Sequence, residues 1–261
     1  MLDRLIDFER VLNFRDFGGW ETADGAKIVR GKLFRSAAFN DATEADVARL
    51  NAMGVRFLVD LRRPEERNYE PNKWPGENCR VIFNDDGAHG ATLPPHLVAL
   101  MQSDLTPQSV HDYMVSLYRE IPFDPRIVAL YRDWFRELAD GGAGVIHCAA
   151  GKDRTGIACA LTLFALGVDE DAVFADYEFT NQAVDLETRM PRIQARMEER
   201  LGRKLQAEAL RPMLGVDADY LRAALDVIDA RYGSALAYME AELGVGERQR
   251  ATLRRELMAG V

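Results

Sequence analysis

Cys148 and Arg154 stand six positions apart in the stretch VIHCAAGKDRTG at 145–156, with two alanines and a glycine directly after the cysteine. A cysteine attacks only as its thiolate, so it needs positive surroundings. The end of a strand that turns into a helix supplies them: the loop amides curl inward and the helix N-terminus adds about half a positive charge. Ala149, Ala150 and Gly151 are small enough for the backbone to close around an anion as a nest. The planar fork of Arg154 can hold two oxygens of a phosphoryl group. One cradle thus favours the thiolate and binds phosphorus in line with sulfur, the machinery of phosphoryl transfer to cysteine. Thr155 can donate its hydroxyl to the thiolate and ease sulfur's departure. His147 orients the strand end and the loop, and Gly156 is the last of the loop residues expected to bind substrate. A Walker-type nucleotide loop is excluded, because Asp153 stands where Ser or Thr must follow Gly-Lys.

Asp153 is the odd residue of the loop. A carboxylate about 4 Å from a phosphate charge is repelled by roughly 4 kcal/mol at an effective dielectric of about 20. It must be protonated, paired with a cation, or in use as the acid that protonates the leaving oxygen; the bland alternative is a carboxylate capping the amides of the helix start. Asp60 ends the apolar run VRFLVDL at 55–61, at the strand edge where α/β sheets bind ligands. It is either a second acid or a partner for Lys152 or Arg62. Asp85 and Asp86 stand next in line. Lys152 either is a solvated loop lysine or extends the positive field to a second phosphate. Cys79 and Cys159 read as core thiols.

The surrounding pattern supplies the elements that must hold this loop. Strand-like runs at 55–61, 79–83 and 144–148 alternate with helical spacing, which predicts an α/β fold with a largely parallel central sheet. TADG at 22–25 marks a turn between NFRDFGGW and KIVRGKLFRS, and so a small hairpin. Thr43 with Asp46 starts a helix that runs to about Met53, and PRIVALYRDWFREL at 125–138 is a second. Residues 84–106, polar and with Pro94 and Pro95, read as a long surface loop with helical pieces. After Gly156 the chain is helical almost to its end. Its most apolar piece, at 157–166, is a central buried helix. The stretch from Asp185 to about Met213 is charge-rich with a narrow apolar stripe, so it covers something without entering the core.

Composition narrows the class. The 261 residues carry a net charge of −9 and are 48% hydrophobic, enough for a sizeable core and unlike the basic surface that nucleic acid requires. Three cysteines make no disulfide framework. The N-terminus has no apolar signal segment, and no run approaches the ~20 residues of a membrane span. A cytoplasmic protein, or one exported without a recognisable signal peptide, is expected.

The Cys-x5-Arg-Thr form of HCAAGKDRTG resembles the cysteine-based tyrosine phosphatases, and its GKDRTG ending resembles the atypical bacterial branch of that family. NFRDFGGW, VDLRRPEE at 59–66 and DADYLRAALDVIDARYGS near the C-terminus are similar to the same branch, so the resemblance spans nearly the whole chain. It implies a single phosphatase domain: an α/β core over 1–180, a helical lid at about 185–213, and C-terminal helices over 214–261 packed on the core. It further implies Cys148 as nucleophile, Arg154 as phosphate holder, Asp153 and Asp60 near the reaction, and no metal or organic cofactor. The implied substrate is a phosphorylated protein, with phosphoserine, phosphothreonine and phosphoinositides as extensions; Lys152 matches the loop lysine of phosphoinositide phosphatases. Two other uses of such a loop stay open. One is a non-catalytic phosphoprotein- or lipid-binding module. The other is a redox or sulfur-transfer enzyme, for which only Cys79 is an unassigned second thiol.

Overall fold

The computed structural model describes residues 1–76, 78–86, 106–201 and 204–259. Strands β1 (Arg15–Asp16), β2 (Leu33–Ser36), β3 (Phe57–Asp60), β4 (Arg80–Ile82) and β5 (Gly144–His147) form a sheet in the order β1-β2-β5-β3-β4. Only the β1–β2 pair is antiparallel; β2–β5, β5–β3 and β3–β4 are parallel. The mixed, mostly parallel sheet expected of an α/β chain is therefore present, with β5 at its centre. The turn at 22–25 closes as read: Glu21 bridges Lys27, and Thr22 N–H donates to the Ala26 carbonyl at 2.8 Å.

Side chains alternate across the sheet as period-two geometry requires. Leu33, Phe57, Val59 and Ile146 face the larger core, while Phe34, Leu58 and Val145 face the smaller one. The smaller core is closed by α1 (Glu44–Ala52) and the N-terminal segment, through Leu50, Val11, Phe14 and Phe39. A short helix, α2 (Pro64–Tyr69), follows β3. The larger core takes α3 (Pro107–Glu120), α4 (Pro125–Ala139) and the apolar α5 (Asp153–Leu166), which leaves the 148–152 loop. Helix α3 went unread in the sequence. It starts at Pro107, where the Thr106 hydroxyl accepts from the Ser109 amide, directly after the run at 84–106 that reads as a loop with helical pieces. Of the stretch expected to be a surface loop, residues 87–105 lie outside the described residues.

Behind α5 come α6 (Glu170–Glu178), α7 (Thr180–Ala183), α8 (Leu186–Leu201), α9 (Ala207–Leu214), α10 (Ala218–Tyr232), α11 (Ala235–Leu243) and α12 (Glu247–Leu257). Helices α10 to α12 pack on the core side of α3, α4 and α5. Helices α8 and α9 share an apolar cluster of their own, Leu186, Met190, Leu205 and Leu210, apart from the main core. Helix α9 lies on α3, and α8 packs chiefly on α9. No helix among the described residues is long and apolar enough to cross a membrane.

The sheet positions the site through its register. Asp60 lies level with His147 across β3–β5, and Ser36 lies level with it across β2–β5. The parallel strands β2, β5 and β3 thus end at one edge, and Cys148 emerges at the middle of it. The N-terminal segment is fixed to this frame by Asp46, whose buried carboxylate accepts from the amides of Glu9 (2.7 Å), Arg10 (3.0 Å) and Thr43 (3.2 Å). Thr43 in turn accepts from Asp46 N–H, a complete capping box. Asp46→Ala leaves these donors without their acceptor and should cost about 2–3 kcal/mol in a urea denaturation curve. A cost below about 0.5 kcal/mol would mean that the segment is anchored by Phe14 and Val11 alone.

Candidate active site

The loop after β5 is built by turning its carbonyls outward. The Cys148 carbonyl lies 3.0 Å from His147 Nδ1; since a carbonyl only accepts, that nitrogen carries the proton. The Ala149 carbonyl accepts from Ala38 N–H at 3.0 Å. The Ala150 and Gly151 carbonyls accept from the Asn13 carboxamide at 3.0 and 2.9 Å, and Gly151 accepts also from Arg35 at 3.1 Å. In a trans peptide the next N–H points opposite to the carbonyl. The amides of Ala149, Ala150, Gly151 and Lys152 therefore face the inside of the loop, and among the described residues none of them has a protein acceptor. Gly151 is required for this turn: its φ is +66°, and a Cβ there would lie 2.2 Å from the Ser36 carbonyl. Cys148 sits at the bottom of the ring, 1% exposed.

Arg154 enters from the first turn of α5. Its Nη1 and Nη2 meet the two Glu66 oxygens at 2.7 and 2.8 Å, and Nη1 also donates to the Leu61 carbonyl at 3.1 Å. Tyr131 donates to the Arg154 carbonyl at 2.6 Å. Glu66 caps the Arg63 amide of α2 at 2.7 Å as well, so one carboxylate fixes both the helix and the guanidinium. Burial alone would raise the Glu66 carboxyl, but the Arg154 charge beside it outweighs burial and holds it down to about 2. Nothing in the sequence singled out Glu66. The signal was its place in VDLRRPEE, which leaves β3 beside the loop.

Among the described residues Asp153, the first residue of α5, caps no backbone amide. Its Oδ1 accepts from the Tyr118 hydroxyl at 2.9 Å and pairs with Lys152 at 3.2 Å. Tyr118 is buried on α3 and accepts from Tyr177 at 2.7 Å. Burial, and then the Asp153 charge, push the Tyr118 phenol well above its ordinary value, so it stays a donor. Asp153 Oδ2 has no protein partner among the described residues, and the side chain is 20% exposed.

Lys152 is not the solvated lysine that one reading allowed. It is buried, and its ammonium donates to the carbonyls of Met213 and, at 3.0 Å, Gly215, at the C-terminus of α9. With Asp153, these acceptors match the three donors of an ammonium. It is therefore not free to meet a second phosphate in this arrangement.

Asp60 has both oxygens occupied. Oδ1 accepts from the Arg62 amide and Nε, each at 3.0 Å; Oδ2 takes Arg62 Nη2 at 2.7 Å and lies 3.4 Å from His147 Nε2 and from Asn72. Burial would raise this carboxyl, but His147 and Arg62 more than reverse it and hold it far below the carboxylate range. Of the two alternatives for Asp60, the geometry is that of a partner to Arg62. Asp85 pairs with Arg67.

Gly156 departs from expectation. Its amide is committed to the Lys152 carbonyl at 2.7 Å, and a Cβ would lie 2.9 Å from the Tyr177 ring, so its smallness serves helix packing and no ligand. Thr155 is fully buried, and its hydroxyl has no partner among the described residues. Cys159 is a core thiol raised to about 12 by burial, and Cys79 is raised to about 11 for the same reason; neither is a ready second nucleophile.

Known proteins are similar to this chain in sequence. The profile of a tyrosine phosphatase family matches residues 6–259. The chain belongs to that family. A protein of Cupriavidus necator, provisionally named a tyrosine-protein phosphatase, is 31% identical over 98% of this chain and 89% of its own. The triple specificity protein phosphatase PtpB of Mycobacterium tuberculosis is 32% identical over 87% of this chain and 90% of its own. The solved structure of TpbA from P. aeruginosa aligns over 80% of this chain and 97% of its own, at 19% identity and a TM-score of 0.30, too low to carry an argument. The protein is thus a tyrosine phosphatase, a hydrolase of phosphorylated substrates.

The Glu66–Arg154 pair makes a pH prediction. A carboxyl lowered from about 4.5 to about 2 contributes stability that is complete above pH 4.5 and is lost as pH falls from 4.5 toward 2. That shift corresponds to about 3 kcal/mol. Urea denaturation of Glu66→Gln should show an acid-side loss over this window smaller than wild type by about that amount. Its kcat/KM at neutral pH should fall at least tenfold, because Arg154 loses the carboxylate that aims it. Equal acid limbs in the two proteins would show that the pair adds nothing to folding.

Proposed function

We propose that the protein hydrolyses phosphotyrosine in two steps through a phosphocysteine intermediate. The observation that carries this reading is the outward tethering of four successive loop carbonyls, which leaves four amides facing the inside of the loop that follows Cys148, with Arg154 held beside it by Glu66. In the first step the Cys148 sulfur bonds to phosphorus while the ester P–O bond breaks. The amides and Arg154 take up the charge on the three equatorial oxygens. Asp153 gives its proton from the unpartnered Oδ2 to the leaving oxygen, and Tyr118 and Lys152 hold the other oxygen in place. In the second step Asp153 takes a proton from water, water attacks phosphorus, and the S–P bond breaks. The unpartnered Thr155 hydroxyl is the donor that stabilises the departing thiolate. Asp60 and His147 act from below, as braces of the strand end.

Helices α8 and α9 are read as a cover. They carry their own small cluster, and their tie to the loop is the Lys152 contact with Met213 and Gly215. The name of the mycobacterial relative, a triple specificity phosphatase, favours a range wider than phosphotyrosine. Phosphoserine, phosphothreonine and inositol phospholipids are the classes to compare, and the last of these requires Lys152 to leave α9.

Two variants test the mechanism. Cys148→Ser should abolish turnover and keep the binding of inorganic phosphate, since the cradle survives; a near-normal rate would end the covalent reading. Asp153→Asn should slow esters of poor leaving groups by at least a hundredfold and an activated nitrophenyl ester far less. It should also flatten the basic limb of the pH–rate profile. A uniform loss across leaving groups would assign Asp153 to holding the loop.

A further inference from the structure

The motifs around Asn13 and Arg35 lie outside the roles derived so far, yet both reach the loop. Asn13 is 2% exposed and has a φ of +57°, a left-handed backbone that asparagine tolerates better than most residues. Its carboxamide nitrogen donates to two successive loop carbonyls, Ala150 at 3.0 Å and Gly151 at 2.9 Å. Which end of the amide faces the loop is fixed from behind. Arg15, a pure donor, binds Asn13 Oδ1, so the amino end must face the carbonyls. Arg15 is itself fully buried and is held by the Asp176 carbonyl at 3.1 Å and the Thr180 hydroxyl at 2.9 Å. Asp176 Oδ2 takes Arg35 at 2.8 Å, and Arg35 returns to the Gly151 carbonyl at 3.1 Å. The chain of contacts is closed, and it begins and ends on the loop.

Two buried guanidinium groups here face one carboxylate. Burial, together with the charge of Arg35, lowers Arg15 to about 9, so it remains protonated at neutral pH. The Nε atoms of both arginines and Asp176 Oδ1 have no hydrogen-bond partner among the described residues. Stability alone favours apolar residues in such a place. A buried, incompletely satisfied cluster under a catalytic loop fits a role in the reaction better than a role in folding.

We propose that Asn13, oriented by Arg15 and joined by Arg35, is the positioning residue that holds the loop with its amides inward. The inference rests on the reading of this loop as the phosphate cradle. Without the Asn13 tethers the 150–151 peptide is free to rotate and the 151–152 peptide keeps only Arg35, so two of the four amides lose their hold on the anion. The amides bind the phosphoryl oxygens in the ground state and bind them more tightly in the transition state, so their loss reaches phosphate affinity and kcat together.

The test uses the full chain with Asn13→Gly and Asn13→Asp. Glycine keeps the left-handed backbone and removes both tethers. Aspartate keeps the shape and sets an oxygen against two carbonyl oxygens. The readouts are kcat on an aryl phosphate, the inhibition constant of inorganic phosphate, and the urea midpoint. Asn13→Asp should lower kcat and weaken phosphate inhibition, each at least tenfold; Asn13→Gly should move both in the same direction by at least threefold. If Asn13→Asp fails to fold, Asn13→Gly decides alone. A lowered urea midpoint with kcat and phosphate inhibition both within twofold of wild type would overturn the proposal, because a merely structural role predicts that pattern. Failure of the cradle reading itself looks different: wild type would then turn over no aryl phosphate, or Cys148→Ser would remain active.

Discussion

A loop can offer its amides to an anion only if its carbonyls are satisfied elsewhere. Each peptide is a fixed dipole, and a carbonyl left facing the anion would repel it. In this protein four consecutive carbonyls, Cys148 to Gly151, are satisfied by His147, Ala38, Asn13 and Arg35, from the end of β5, from the segment after β2, from the turn before β1, and from β2 itself. The sheet order follows the same need. β5 lies between β2 and β3, so the loop receives donors from one side and the Asp60–Arg62 brace from the other. The core packs around a hydrogen-bond pattern that must stay intact while a dianion comes and goes.

That pattern has an electrostatic cost, and the fold meets part of it by pairing four cations around the loop. Arg154 is paired with Glu66, Lys152 with Asp153 and two helix-end carbonyls, Arg62 with Asp60, and Arg35 with Asp176. Each pairing also fixes geometry. Glu66 spreads its two oxygens across the Arg154 fork, so the guanidinium waits in one plane. Preorganisation of this kind removes the reorganisation that water would otherwise need during phosphoryl transfer.

Much of this was legible in the sequence, for local reasons. The Cys148–Arg154 spacing, the small residues between them and the apolar run before them all act within one turn of chain. The capping box at Thr43 and the turn at 22–25 are local too. What stayed hidden is long-range. Tyr118 meets Asp153 from 35 residues away, Glu66 meets Arg154 from 88, and Asn13 meets Gly151 from 138. A tyrosine on an amphipathic helix, a glutamate in a charged run and an asparagine in a turn have ordinary local explanations, and those explanations are sufficient until the fold brings the partners together. Gly156 shows the opposite error. It stands in the motif, but its place is set by the ring of Tyr177, which the motif does not contain.

Lys152 joins the two halves of the proposed mechanism. Its ammonium caps the C-terminal carbonyls of α9, where the helix dipole favours a cation, and the same ammonium neutralises Asp153. A phosphate dianion entering the loop competes for that charge with neutral carbonyls, and a full anion is the stronger acceptor. On the proposed mechanism, turning Lys152 toward the dianion would take from α9 its C-terminal cation and from Asp153 its ion pair, so this one side chain links the cradle both to α9 and to the carboxylate beside it.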